Sequence, residues 1–180
     1  MPKIQTNTKT FEDVLDAVKN KGLKVTAPNK GDSFEIGKAK CEVMTDSILN
    51  KDNLNLSSIV IRLEFENNSF LFMGDAETAN EKTRTWMKTD VLKVGHHGSN
   101  TSSSEDFLKQ INPTYAVIMA GKNNSYGLPK QKILDRLTKI GAKVYRTDEE
   151  GTIMMISNGN NSEVKENSRQ FAIIKLKYNR

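Results

Sequence analysis

Histidine and cysteine are nearly absent from this sequence. Of 180 residues, two are histidine, the adjacent His96 and His97, and one is cysteine, Cys41. A single thiol excludes an internal disulfide framework and a cysteine-rich zinc finger, and two imidazoles leave none to spare for a histidine-rich metal cage. No window approaches the roughly 18 apolar residues that a membrane-spanning helix needs. The opening MPKIQTNTKT lacks the apolar centre of a secretory signal. With its lone cysteine, the chain is expected to be cytoplasmic, or extracytoplasmic if it belongs to a larger membrane-anchored protein. Apolar residues are a modest 36% against 27% charged, which is still a globular composition. The length predicts one domain, at most two small ones.

What is present in excess is positive charge. Lysine and arginine number 27 against 22 acids, a net charge of +5. That balance favours a nucleic acid or other polyanion as partner, and it equally describes a solvated lysine surface. Cys41, Trp86 and Tyr115 read as core.

Hydrophobic spacing predicts a helix over 9–21, with Phe11, Val14, Leu15 and Val18 on one face, a cap at Thr8 or Thr10 and a stop at Gly22. A short strand at 24–26 follows, then paired strands at 34–36 and 41–44 around Gly37. A polar loop fills 46–55. Alternation over 57–66 and the apolar run 70–73 predict a hairpin. Helices are expected at 77–88, 104–111 and 130–140, and buried strands at 91–94 and 115–120. Residues 144–147 and 152–157 are predicted to close the domain as strands across a turn. Residues 158–168 look like a loop, and 170–178 are either a last strand or a basic tail. The domain is accordingly placed at 1–157, with loop and tail at 158–180.

The strand–helix order in the middle of the chain implies parallel strands with right-handed crossovers, whose carboxyl ends share one edge where ligands bind. Three polar segments converge there: Gly74-Asp75-Ala76-Glu77, Gly95-His96-His97-Gly98-Ser99 and Gly121-Lys122-Asn123-Asn124-Ser125-Tyr126-Gly127. Asp75 suits a metal ligand or a helix cap, and Glu77 suits the first turn of a helix. His96 and His97 suit metal binding and acid catalysis, or a plain hydrogen-bonding role. Flanked by glycines, both rings are expected to approach one centre. Ser99 either donates to a phosphate or caps the next helix. Lys122, Asn123, Asn124 and Tyr126 either hold a phosphodiester or build a turn.

The segments from Phe72 to Glu77, Asp90 to Ser99, Gly121 to Gly127 and Tyr145 to Ile153 together resemble metallo-β-lactamase-fold domains of the ComEC type, which accompany bacterial DNA uptake. The likeness covers roughly residues 3–157. It implies an α/β fold, an αββα sandwich, and a one- or two-metal centre, usually zinc, with manganese an alternative, that hydrolyses phosphodiesters or other esters. Asp75 then matches the metal-bridging aspartate and His97 the late metal-ligand histidine, while His96 is left as the catalytic or substrate-touching residue. Ser99, Lys122, Asn123, Asn124 and Tyr126 become substrate contacts.

Two departures qualify the match. The family's His-x-His-x-Asp-His motif is missing, so the sandwich is expected to be N-terminally truncated. The tyrosine-glycine loop continues as Leu128-Pro129-Lys130, without the histidines of relatives. Three functions follow as alternatives: a metal-dependent hydrolase that is catalytically incomplete in this chain, a non-catalytic polyanion-binding module, or a remnant that self-associates or pairs with a missing N-terminal half.

Overall fold

The computed structural model describes residues 7–45, 48, 50, 52–165 and 174–176. Its centre is a seven-stranded mixed sheet of β1 (Ser33–Ile36), β2 (Ala39–Val43), β3 (Ile61–Phe65), β4 (Asn68–Phe72), β5 (Val91–Lys93), β6 (Tyr115–Ile118) and β7 (Lys143–Arg146), paired in chain order. β1 to β4 run antiparallel as hairpins, and β4 to β7 run parallel. The change of direction follows from the connections. Tight turns join β1 to β2 and β3 to β4, residues 44–60 connect β2 to β3, and helical crossovers join the last strands.

Alternate side chains of the strands enter two cores. On one face Leu71, Leu92, Ala116 and Ile118 pack under α3 (Glu105–Ile111) and α4 (Gln131–Lys139), through Phe107, Leu108, Ile111, Ile133 and Leu137. Ile133 and Leu137 lie one turn apart on α4, so both reach the sheet. On the other face Phe65, Phe70, Val91 and Val117 meet Ile153 and Met155. Met155 comes from β8 (Met154–Ser157), which pairs with β9 (Ser162–Lys165) and β10 (Ile174–Leu176) in a second, three-stranded sheet. The mixed α/β arrangement with a large mixed sheet agrees with the expected fold class.

Four local expectations need correction. Residues 24–26 form no strand. The helix expected over 77–88 is reduced to α2 (Thr78–Glu81). Its thin apolar stripe could not hold a longer helix. Instead Trp86 pins an extended segment, donating its indole N–H to the Glu81 carbonyl at 2.6 Å and its backbone N–H to Gln110 Oε1 at 2.8 Å, and meeting Phe107 edge-on at 5.2 Å. The turn between 147 and 152 is a short helix, α5 (Thr147–Glu150), and it separates β7 from β8 into different sheets. Part of the expected loop at 158–168 is strand β9, paired antiparallel with β8. Of the expected loop at 46–55, positions 46, 47, 49 and 51 lie outside the described residues, as does the tail apart from 174–176.

The first helix, α1 (Lys9–Asn20), forms where expected, with Thr8 accepting from the Phe11 N–H at its start. None of its residues is buried. Among the described residues no helix is long and apolar enough to cross a membrane.

Candidate metal and substrate site

The three polar segments do meet, at the carboxyl edge of β4, β5 and β6. Beyond β4 the chain turns at Gly74 (φ +56°), and the Asp75 N–H is held by the Ser58 hydroxyl at 3.1 Å. Beyond β5 come four residues of tight turn in which His96 (φ 46°), His97 (φ 54°) and Gly98 (φ +79°) are all left-handed. Gly98 has no alternative, because a Cβ there would lie 2.6 Å from the Pro129 Cβ. The neighbouring histidines have no such relief from backbone strain, a cost that clusters at functional sites.

The turn splays the two rings, which corrects the expectation that both approach one centre. Their centroids stand 6.4 Å apart, and each ring faces its own carboxylate. His96 Nδ1 lies 3.3 Å from Glu77 Oε1 and 3.0 Å from the Thr101 hydroxyl, with Nε2 3.4 Å from the Asn55 amide. Glu77 also accepts from the Asn53 and Asn55 amides at 2.9 and 3.3 Å. His97 Nε2 lies 3.3 Å from Asp75 Oδ1, and its Nδ1 meets the Met119 carbonyl at 2.6 Å.

That last contact decides the protonation of the ring. A carbonyl only accepts, so His97 Nδ1 carries a proton, and in a neutral ring Nε2 presents a lone pair. A lone pair facing a carboxylate is repulsive unless a proton or a cation lies between them. Two donors on one zinc at about 2.0–2.2 Å, at a tetrahedral angle, stand about 3.4 Å apart. Asp75 and His97 are set at that separation. The carbonyl on the far nitrogen is the kind of outer contact that orients a ligating histidine.

The donor set stops at two. Among the described residues no group of three histidine, cysteine, aspartate or glutamate side chains is gathered. A catalytic zinc takes three protein ligands and an open position. Asp75 and His97 therefore fit as part of a metal site and do not complete one.

The other expected site residues divide. Asn124 and Tyr126 border a cavity of about 250 Å³ that also touches His97. Tyr126 is 78% exposed. The Asn124 amide is consumed by its own loop: Nδ2 donates to the Gly121 and Leu128 carbonyls at 2.9 and 2.7 Å, and Oδ1 accepts from the Leu128 N–H at 3.0 Å. Lys122 and Asn123 sit exposed at the loop tip, outside the cavity lining. The Ser99 hydroxyl contacts Thr101 at 3.3 Å and so belongs to the His96 side.

Lys93 was missed by the site prediction. Its Nζ donates to the Gly74 carbonyl at 2.8 Å, and burial pushes its pKa down while nearby Asp75 pulls it partly back. The signal was a lysine inside the apolar run Val91-Leu92-Lys93-Val94. Asn53, Asn55 and the Met119 carbonyl carried no comparable signal.

A model of the metallo-beta-lactamase superfamily matches residues 13–122, more than half of the chain. The chain belongs to that superfamily. It is 36% identical over 157 residues to ComE operon protein 3 of Bacillus subtilis, a match covering 85% of this chain and 20% of that protein. It is 42% identical over 101 residues to recombination protein 2 of Haemophilus influenzae, covering 55% of this chain and 13% of the relative. Competence protein ComA of Neisseria gonorrhoeae is 36% identical over 104 residues, covering 55% and 15%. These relatives agree with a ComEC-type member of the metallo-β-lactamase superfamily. The chain spans a fifth or less of the length of each.

Proposed function

We propose that this chain carries the aspartate–histidine part of a ComEC-type metallo-β-lactamase centre that acts on phosphodiester bonds, with Asp75 and His97 as metal ligands and zinc or manganese as the ion. The supporting observation is the His97 ring, whose Nδ1 is committed to the Met119 carbonyl while Nε2 faces Asp75 at 3.3 Å. His96, turned to Glu77 and Thr101, is a positioning residue in this reading. No step of hydrolysis is assigned to Asp75 and His97 alone, because two donors do not complete the centre. The described residues are thus expected to hold a polyanion without cleaving it, consistent with the net charge of +5.

Calorimetric titration of the purified chain with zinc tests this reading. Weak one-to-one binding is expected, falling by about tenfold or more in Asp75→Asn and in His97→Ala. Bis(p-nitrophenyl) phosphate should not be hydrolysed above the zinc-only blank. Zinc binding that both substitutions leave unchanged would move the metal elsewhere. Rapid metal-dependent hydrolysis by this chain alone would overturn the incomplete centre.

A further inference from the structure

The cavity beside His97 is mostly apolar, with Met119, Ala120, Tyr126 and Leu128 in its walls. At about 250 Å³ it falls below the roughly 300–1,000 Å³ of sites that enclose a whole drug-sized ligand, so it suits one ring of something larger. Its walls are preset, since the three hydrogen bonds of Asn124 lock residues 121–128 into shape. Tyr126 leaves most of its ring in solvent, where an aromatic side chain has no core to join. Its carbonyl holds the Lys130 ammonium at 2.8 Å, and Lys122 is exposed on the same loop. Asp148 and Glu149, which follow the Thr147 bonded to Ala120, are paired with Arg146, each at 2.6 Å, and Asp75 lies on the opposite side, 3.3 Å from His97 Nε2, so the lysines supply the positive charge on the Tyr126 side.

We propose that this cavity takes one unpaired base of a single-stranded nucleic acid, stacked on Tyr126, with the adjoining phosphates along Lys122 and Lys130. The proposal rests on the phosphodiester reading above and adds the part of the substrate held next to the scissile linkage. An exposed aromatic on a cationic rim is how sequence-tolerant single-strand binding is built, because every base offers a flat face. A base inside a duplex is already stacked and paired, and reaching the cavity would require extruding it.

The test is fluorescence anisotropy at low salt with a short labelled oligothymidylate, an abasic strand of the same length and a duplex. Wild type should bind oligothymidylate about tenfold tighter than the abasic strand, the order expected for one stacked base. The duplex should resemble the abasic strand. Tyr126→Ala should bring the ratio near one, and Tyr126→Phe should retain it; the exposed position makes both variants tolerable to the fold. Equal binding of base-bearing and abasic strands by wild type, or a ratio that survives Tyr126→Ala, overturns the base site and leaves the phosphodiester reading standing. Absence of binding to every strand overturns both.

Discussion

His96 and His97 are neighbours in the chain, share a left-handed backbone and each stand 3.3 Å from a carboxylate, yet they live in different environments. The His96 and Glu77 side chains are 23% and 13% exposed, and those of His97 and Asp75 are 44% and 41%. The inner pair is bound by Thr101, Asn53 and Asn55, so its polar atoms already have partners. In the outer pair His97 is fixed by the Met119 carbonyl and borders the cavity, and both side chains are more exposed. The difference supports the proposed division, with the inner pair as framework and the outer pair as the one that meets a ligand. Residue type and distance to a carboxylate alone do not separate them.

The largest effect is expected where both pairs are disrupted together, at the turn that splays them. In Gly98→Ala the new methyl would meet Pro129 Cβ at 2.6 Å, at a backbone φ of +79° that L side chains resist. Strain and clash should cost about 2–4 kcal/mol and lower the midpoint of thermal unfolding by about 10 °C. Circular dichroism melts check this, and a wild-type melting curve would mean that the turn tolerates a side chain and does not dictate the two ring directions.

A smaller effect separates the pairs. Glu77→Ala leaves the Asn53 and Asn55 amides and His96 without their acceptor in a half-buried place, a loss of about 1–3 kcal/mol. Asp75→Ala and His97→Ala act on exposed groups and should stay within about 0.5 kcal/mol of wild type. Urea unfolding midpoints measure all three. If Asp75→Ala proved the costlier change, the assignment of inner framework and outer ligand pair would be reversed.

Much of this contrast was invisible in the sequence. The parallel order of β4 to β7 and the meeting of three polar strand ends were legible, because apolar runs alternate with capped helices and the fold rule puts their ends on one edge. The ring directions were not, since Gly-His-His-Gly permits many turns and distant groups, Pro129 against Gly98 and the Met119 carbonyl on His97 among them, select this one. Asn55 reaches His96 across 41 positions of sequence, and a backbone carbonyl such as that of Met119 has no residue type to announce it. The helix over 77–88 failed for a similar reason. Its composition allowed a helix, and the distant contacts of Trp86 with Gln110 and Phe107 decided otherwise. Helix α1 shows the reverse case, a pattern strong enough to form its element while telling nothing of what the apolar face meets.

Lys93 tests the turn that carries both pairs, since the Gly74 carbonyl it holds precedes Asp75 and also accepts the His96 N–H. Its ammonium lies on the strand between Phe72 and Val117, holds the Gly74 carbonyl and so steadies the turn that presents Asp75. Burial pushes its pKa below the ordinary 10.5, and the field of Asp75 offsets part of that. Between the lowered folded value and 10.5 the unfolded chain therefore binds more protons than the folded one, so this group's contribution to stability rises with pH through that window. It is unfavourable at neutral pH and is relieved as pH passes above 10.5. Lys93→Met removes the titration, so wild-type stability minus that of the variant should climb across the alkaline range and be flat at neutral pH. Denaturant unfolding at a series of pH values measures the difference. The ring resonances of His96 and His97 should both shift in the variant, because the Gly74 carbonyl links Lys93 to the two sides of the turn. A flat difference at alkaline pH, or ring resonances that do not move, would show that Lys93 does not steady this turn.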